Sequence, residues 1–294
     1  MKKTMKTIIA SALCTGLIIL SGCSGKPEAT KSFKITESTA AGNSGDVTLE
    51  KGDTYAVISI KDYGDIKIKL YPDLVPYAVY NFVELAKKGT YNGRNFHRIV
   101  EDFMIQGGSA SGAGSGGKSI DGGEFKNDVN TALRHYYGAL CYAASGLGDI
   151  SDGFYIVNCK TPQTDLENIY DATSINYTYT ASLYGQYAEL INPSMEDYDK
   201  AYKLYTGIRD YNQGAVKAVT AMKKTITDAV KNTYAEKGGK AQLDGGYTVF
   251  GQTVEGFDVI DKITAVEKET GADGTESKPL TEIIIDKVEI FTME

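Results

Sequence analysis

A chain of 294 residues, 42% apolar and 23% charged, can bury one large core or two ordinary ones and is too apolar for wholesale disorder. Its formal charge is −7, and a leader holding Lys2, Lys3 and Lys6 but no acid would, once removed, leave −10; such a chain repels phosphate backbones and makes nucleic acid a poor partner. Two histidines are too few for a metal site of the usual kind, so neither a metal nor a cofactor is expected.

In chain order, targeting signals come first. The three lysines precede IIASALCTGLIIL, an apolar run too short for a comfortable membrane span. It ends in Leu20, Ser21, Gly22 and Cys23, which resembles the lipobox of bacterial lipoproteins. That resemblance implies cleavage before Cys23, a diacylglycerol on its thiol, and an extracytoplasmic protein lipid-anchored to a bacterial membrane. Two long acyl chains suffice for this, because each buried CH₂ contributes about 0.8 kcal/mol. Residues 1–22 are then a signal peptide. Residues 23–46, small, polar and without period, read as a flexible tether.

Order begins near Val47. TYAVISI and DIKIKLY alternate as strands around KDYG, a hairpin pattern. VPYAVYNFVELAKKG follows as a helix, with Pro76 in its first turn and Val79, Phe82, Val83 and Ala86 on one face. Short strands are readable at FHRIV, FMIQG, GALCYAA, FYIVN, YTVFGQT and IIIDKVEIF, with a brief helix near GFDVIDKI. Cys141 and Cys159 sit inside two of these runs and read as buried free thiols.

The texture changes over 161–239. A Tyr-rich stretch leads to Ser194, which with Asp197 has the spacing of a capping box. Two helices are expected after it, over MEDYDKAYKLYTGIRDYNQ and over AVKAVTAMKKTITDAVKNTYAEKGG. This is an α-helical insertion in a β-rich domain made of 47–160 and 240–294. Its ends are expected to lie close together, so that it could be cut out.

Two motifs carry chemistry. GAGSGGKS, residues 112–119, fits a phosphate-loop expression, but no strand precedes it and Gly122 and Gly123 would break the helix that must follow, so it reads as a loop. His97 reads as a hydrogen-bonded structural histidine. The stronger motif is FHRIVEDFMIQGG. Together with GSGGKSI, GEF, GALCYAASG and LDGGYTVFGQTVEGFDVIDKI, it resembles the cyclophilin family of peptidyl-prolyl cis-trans isomerases.

The resemblance implies a mainly β fold with α: an eight-stranded antiparallel β-barrel capped by two helices, with the insertion added. It implies an isomerase of X–Pro bonds in exported proteins, with Arg98, Phe103 and Gln106 as catalytic residues. Met104, Ala143, Tyr155, Leu243 and Tyr247 are implied to bind substrate. Proline-containing polypeptides are the expected partners, and a monomer is the expected state. Four positions depart from the family pattern. Ala144 stands for an asparagine, Gly153 for a glutamine, Gln242 for a tryptophan found in many members, and Tyr247 for a histidine. The thinner polar rim leaves a second reading, a cyclophilin-like chaperone or binding module with little turnover.

Overall fold

The computed structural model describes residues 25–40, 42–43 and 47–294. Eight strands build its centre: β1 (Thr54–Ile60), β2 (Gly64–Leu70), β3 (Asn95–Val100), β4 (Met104–Gly107), β5 (Ala139–Ala144), β6 (Asp149–Val157), β7 (Val249–Glu255) and β8 (Ile283–Thr292). They pair antiparallel in the order β4-β3-β8-β1-β2-β7-β5-β6, and β6 pairs back onto β4. The sheet therefore closes into a barrel with no free edge among these strands.

Alternation in the sequence becomes inside and outside. Ala56, Ile58 and Ile60 of β1 face Ile66, Ile68 and Leu70 of β2 inward, all buried. Ile99, Ile105, Ile156 and Leu140 are successive cross-strand partners with no exposed surface, an interior row crossing β3, β4, β6 and β5. Helix α1 (Pro76–Lys87) begins with Pro76 at its first turn, where a missing N–H costs nothing. It plugs one end with Phe82, whose ring meets Phe154 edge-on at 5.7 Å and Phe250 at 5.3 Å. A shorter helix further on, Phe257–Thr264, buries Val259, Ile260 and Ile263.

Between β6 and β7 the chain leaves the barrel for three helices: α2 (Leu166–Leu190), α3 (Tyr198–Lys224) and α4 (Asp228–Lys237), with Phe257–Thr264 then being α5. Three local expectations change here. The Tyr-rich stretch is itself α2; its buried residues, Leu166, Tyr170, Ala181 and Ala188, are too sparse and too small to mark a helical period by eye. The capping box does not form: Asp197, not Ser194, caps α3, without a side-chain bond, and the Ser194 amide is held by Asn192 at 2.9 Å. The helix also runs through Gly214 and breaks instead at Thr225, where Thr227 caps α4 by accepting from the Val230 amide.

Gly214 has a packing reason. A Cβ there would lie 2.7 Å from Cγ of Phe33. Phe33 belongs to the stretch expected as a tether, and much of that stretch is seated on the fold. Lys34–Thr36 pairs in parallel with Asp128–Asn130, the Lys34 ammonium meets Asp128 at 2.9 Å, and Asn43 is bonded to both backbone groups of Arg134. Periodlessness concealed this because one strap residue in a groove needs no repeat. Cys23 and the leader lie outside the described residues.

A second buried cluster, separate from the barrel core, joins Leu166, Tyr170, Ala218, Val219, Met222 and Tyr234 of the helices to Val129, Tyr136 and Ala241 of the barrel domain. Cys141 and Cys159 are both free and buried.

Candidate active site

The site residues converge on the outer face of the barrel, by register. Arg98 on β3 pairs with Gln106 on β4, Gln106 with Tyr155 on β6, and Tyr155 with Cys141 on β5. Directly opposed residues point to the same face, so Arg98, Gln106 and Tyr155 form a row. Met104 and Ala143, two residues from Gln106 and Cys141, share that face. The register slips by one residue between Phe96 and Arg98, a bulge that re-aims the arginine.

Phe103 stands in the tight turn before β4, its amide held by Asn158 at 2.7 Å. Two cations approach its ring: the Arg98 guanidinium is 5.6 Å from the centroid and the Lys240 ammonium 5.7 Å. Leu243 closes a short 3-10 turn, Ala241–Leu243, and Tyr247 follows with its ring edge-on to Tyr155 at 6.2 Å. Leu243, Tyr247, Phe103 and Ala143 are half-buried against the barrel core, while Met104 and Tyr155 are buried. Of the eight residues expected at the site, Arg98, Gln106 and Tyr155 are joined by register, Phe103 and Met104 by their approach to Arg98, and Tyr247 by its ring contact with Tyr155, while Leu243 and Ala143 pack on the same barrel core.

Arg98 is held by a residue far along the chain. Gln106 lies across from it, but the Nε–H of Arg98 donates to Asp273 at 2.7 Å, and one Nη lies 3.8 Å from the sulfur of Met104. Asp273 sits in a hairpin formed by Lys268–Thr270 and Glu276–Pro279. Arg98 holds its carboxyl well below the usual carboxylate range, helped by the Thr275 amide and the Ser277 hydroxyl. Because Asp273 takes Nε, the second Nη keeps no protein partner among the described residues. No sequence signal ties Asp273 to Arg98; it reads only as part of a turn.

A cavity of about 440 Å³ extends from Arg98 between this hairpin and the loop 112–114, with Asn95, His97 and Gln106 in its wall. His97 is not the hydrogen-bonded histidine expected: Nδ1 is buried without a partner, and burial, then the Arg98 charge, pushes its pKa below 6.5. The GAGSGGKS stretch is a loop, and no helix follows it. Gly117 is there to admit Asp152, whose carboxylate pairs with Arg94 at 2.6 Å and occupies the space a Cβ would take. The described residues contain no cluster of three or more His, Cys, Asp or Glu able to hold a metal.

Comparison with known proteins agrees with this geometry. A family model described as cyclophilin type peptidyl-prolyl cis-trans isomerase/CLD matches residues 55–180 and 215–290. A protein of Staphylococcus saprophyticus named as a peptidyl-prolyl cis-trans isomerase is 32% identical over 240 residues, 81% of this chain and 93% of that one. Another so named, from Staphylococcus aureus strain USA300, is 30% identical over 235 residues, 80% and 90% of the two chains. Among solved structures, a Cryptosporidium parvum cyclophilin type peptidyl-prolyl cis-trans isomerase superposes with a TM-score of 0.51 at 20% identity, covering 82% of this chain and 99% of that one. Residues 181–214, between the two matched segments, hold the last part of α2, the connection after it and the first part of α3. Fold, motif and relatives agree, and the chain belongs to the cyclophilin-type peptidyl-prolyl cis-trans isomerases.

Proposed function

We propose that this isomerase is a folding catalyst for exported proteins, held at a membrane by a lipid on Cys23, and that Arg98 carries its chemistry. An X–Pro amide turns over a barrier of roughly 18–20 kcal/mol because resonance ties its nitrogen to the carbonyl. At the top of that barrier the conjugation is lost and the nitrogen becomes a pyramidal acceptor. A guanidinium N–H aimed at that nitrogen binds the twisted amide better than either planar form, and each 1.36 kcal/mol of that difference gives a tenfold rate. No bond to carbon breaks, so no nucleophile is required.

The observation that carries this reading is the division of labour on Arg98. Asp273 fixes Nε, Phe103 and Met104 lie along the guanidinium, and one Nη is left for substrate. In this reading Phe103, Met104 and Leu243 seat the prolyl ring, with Tyr155 at the base and Ala143 and Tyr247 along the sides. Gln106 holds the substrate backbone. Two-dimensional NMR exchange on a short X–Pro peptide tests it: the protein should speed cis/trans exchange without altering the equilibrium, and no acceleration would overturn it.

A second reading, a binding module with little turnover, has one observation in its favour. The helix α2 exposes Leu190 at 80%, Ile175 at 69% and Tyr179 at 66%, apolar surface of the kind that grips unfolded chains. The same exchange experiment separates the two, since a binding module would broaden peptide signals without speeding interconversion.

A further inference from the structure

Asp244 has no exposed surface, yet it is crowded with donors. It accepts the backbone N–H of His135 at 2.9 Å and His135 Nδ1 at 2.8 Å. It also accepts the hydroxyls of Tyr170 on α2 and Tyr234 on α4, each at 2.6 Å. These four donors fill the lone-pair sites of one carboxylate. Arg134, 2% exposed, lies 3.7 Å away and itself donates to Tyr170 at 2.7 Å and to Thr225 Oγ1 at 2.6 Å. Burial alone would push the Asp244 pKa up; the hydrogen bond and charge of His135, then Arg134 and Tyr170, hold it below the usual range.

The other end of the network is the pocket. His135 Nε2 meets the Tyr155 hydroxyl at 3.0 Å, with the two rings nearly parallel at 15°. The chain of contacts therefore runs from two helices of the insertion, through Asp244 and His135, to Tyr155. A second strut reaches the rim: Tyr211 on α3 donates to the carbonyl of Gly246, the residue before Tyr247, at 2.9 Å. Apolar contact alone could have docked the helices. A desolvated charge shared between them and the pocket base holds one geometry, because displacing any donor leaves the carboxylate short of a partner.

We infer that Asp244 and His135 are positioning residues for the prolyl pocket, and that Tyr170 and Tyr234 make the insertion part of the device that sets where Tyr155 stands. This rests on the site reading above. The helices are then an element of substrate binding, acting on how well the ring is seated more than on the Arg98 chemistry.

A double-mutant cycle tests it, with KM and kcat taken from NMR exchange on an X–Pro peptide. Tyr170→Phe removes one donor from Asp244 and nothing from the pocket surface. It should raise KM roughly 3- to 10-fold with kcat changed less than about twofold, the scale of coupling within one hydrogen-bond network. In a Tyr155→Phe background, where the link to His135 is already cut, the same change should move KM less than about twofold. A folded Tyr170→Phe protein with unchanged KM, or equal effects in both backgrounds, would overturn the inference. Should Tyr170→Phe not fold, the wild-type protein still decides. The chain has only two histidines, so labelled imidazole ¹⁵N resonances are few, and His97→Asn identifies those of His135. Peptide binding should shift the His135 Nε2 signal, and a signal unmoved at saturation would overturn the coupling. Wild-type protein that does not speed exchange would instead remove the proposed function, and this inference with it.

Discussion

At the scale of the residue, Arg98 is the position on which most depends. Arg98→Ala should lower kcat by on the order of 10², the usual loss on removing a donor aimed at developing charge, while peptide affinity changes little. Arg98→Lys should recover little of it, because an ammonium cannot give Nε to Asp273 and an Nη to substrate together. Phe103→Ala should instead raise KM, since it removes the seat of the ring. Asp273→Asn is expected to be mild, a fall of about two- to fivefold, because a partly exposed ion pair orients more than it stabilises. A loss as large as that of Arg98→Ala would show that Asp273 does more than hold Nε. His97 sets a pH dependence. Its folded pKa lies below its ordinary 6.5, so the unfolded chain binds the extra proton first, and stability is lost as pH falls through about 6.5. The melting temperature should therefore drop between pH 7 and pH 5, and drop less in His97→Asn; equal drops would remove His97 from the account.

At the scale of the element, the insertion reads in sequence as removable, and its contacts argue otherwise. Replacing 162–239 by a short linker would strip Asp244 of two hydroxyl donors and leave Arg134 without Tyr170, Met222 and Thr225. Removing partners from a buried charge costs about 3–5 kcal/mol, a large share of the roughly 5–15 kcal/mol that holds a domain folded. Such a deletion should be insoluble or melt far below the full chain, as read by circular dichroism. A cooperative, fully active product would show that the barrel needs nothing from the helices. Gly214→Ala gives a sharper check on one helix. Alanine is favoured in a helix interior by roughly 1 kcal/mol over glycine, yet here its Cβ would press on Phe33. The variant should melt lower than wild type, and a higher melting temperature would mean that the strap is not seated against α3.

At the scale of the whole molecule, the lipid anchor is the main expectation beyond the described residues. Cys23→Ser should move the protein out of the membrane fraction and abolish lipid labelling; unchanged fractionation would sink the anchor. No described helix is long and apolar enough to cross a membrane. What the chain determined by itself was local. Alternation in TYAVISI and DIKIKLY marks strands because a barrel wall has an inside and an outside. Pro76 marks the start of α1 because a first turn needs no N–H, and FHRIVEDFMIQGG places Arg98, Met104 and Gln106 on adjoining strands with Phe103 in the turn between them. Only the tertiary structure decided what those residues lean on. Asp273 is 175 positions from Arg98, and Tyr170 is 74 from Asp244. The strap around Phe33 and the helix α2 likewise leave no clear period. Periodicity and turn chemistry act between neighbours in the chain and are written there; a buried charge finds its donors only after the barrel has closed, and no local pattern encodes which distant hydroxyls will reach it.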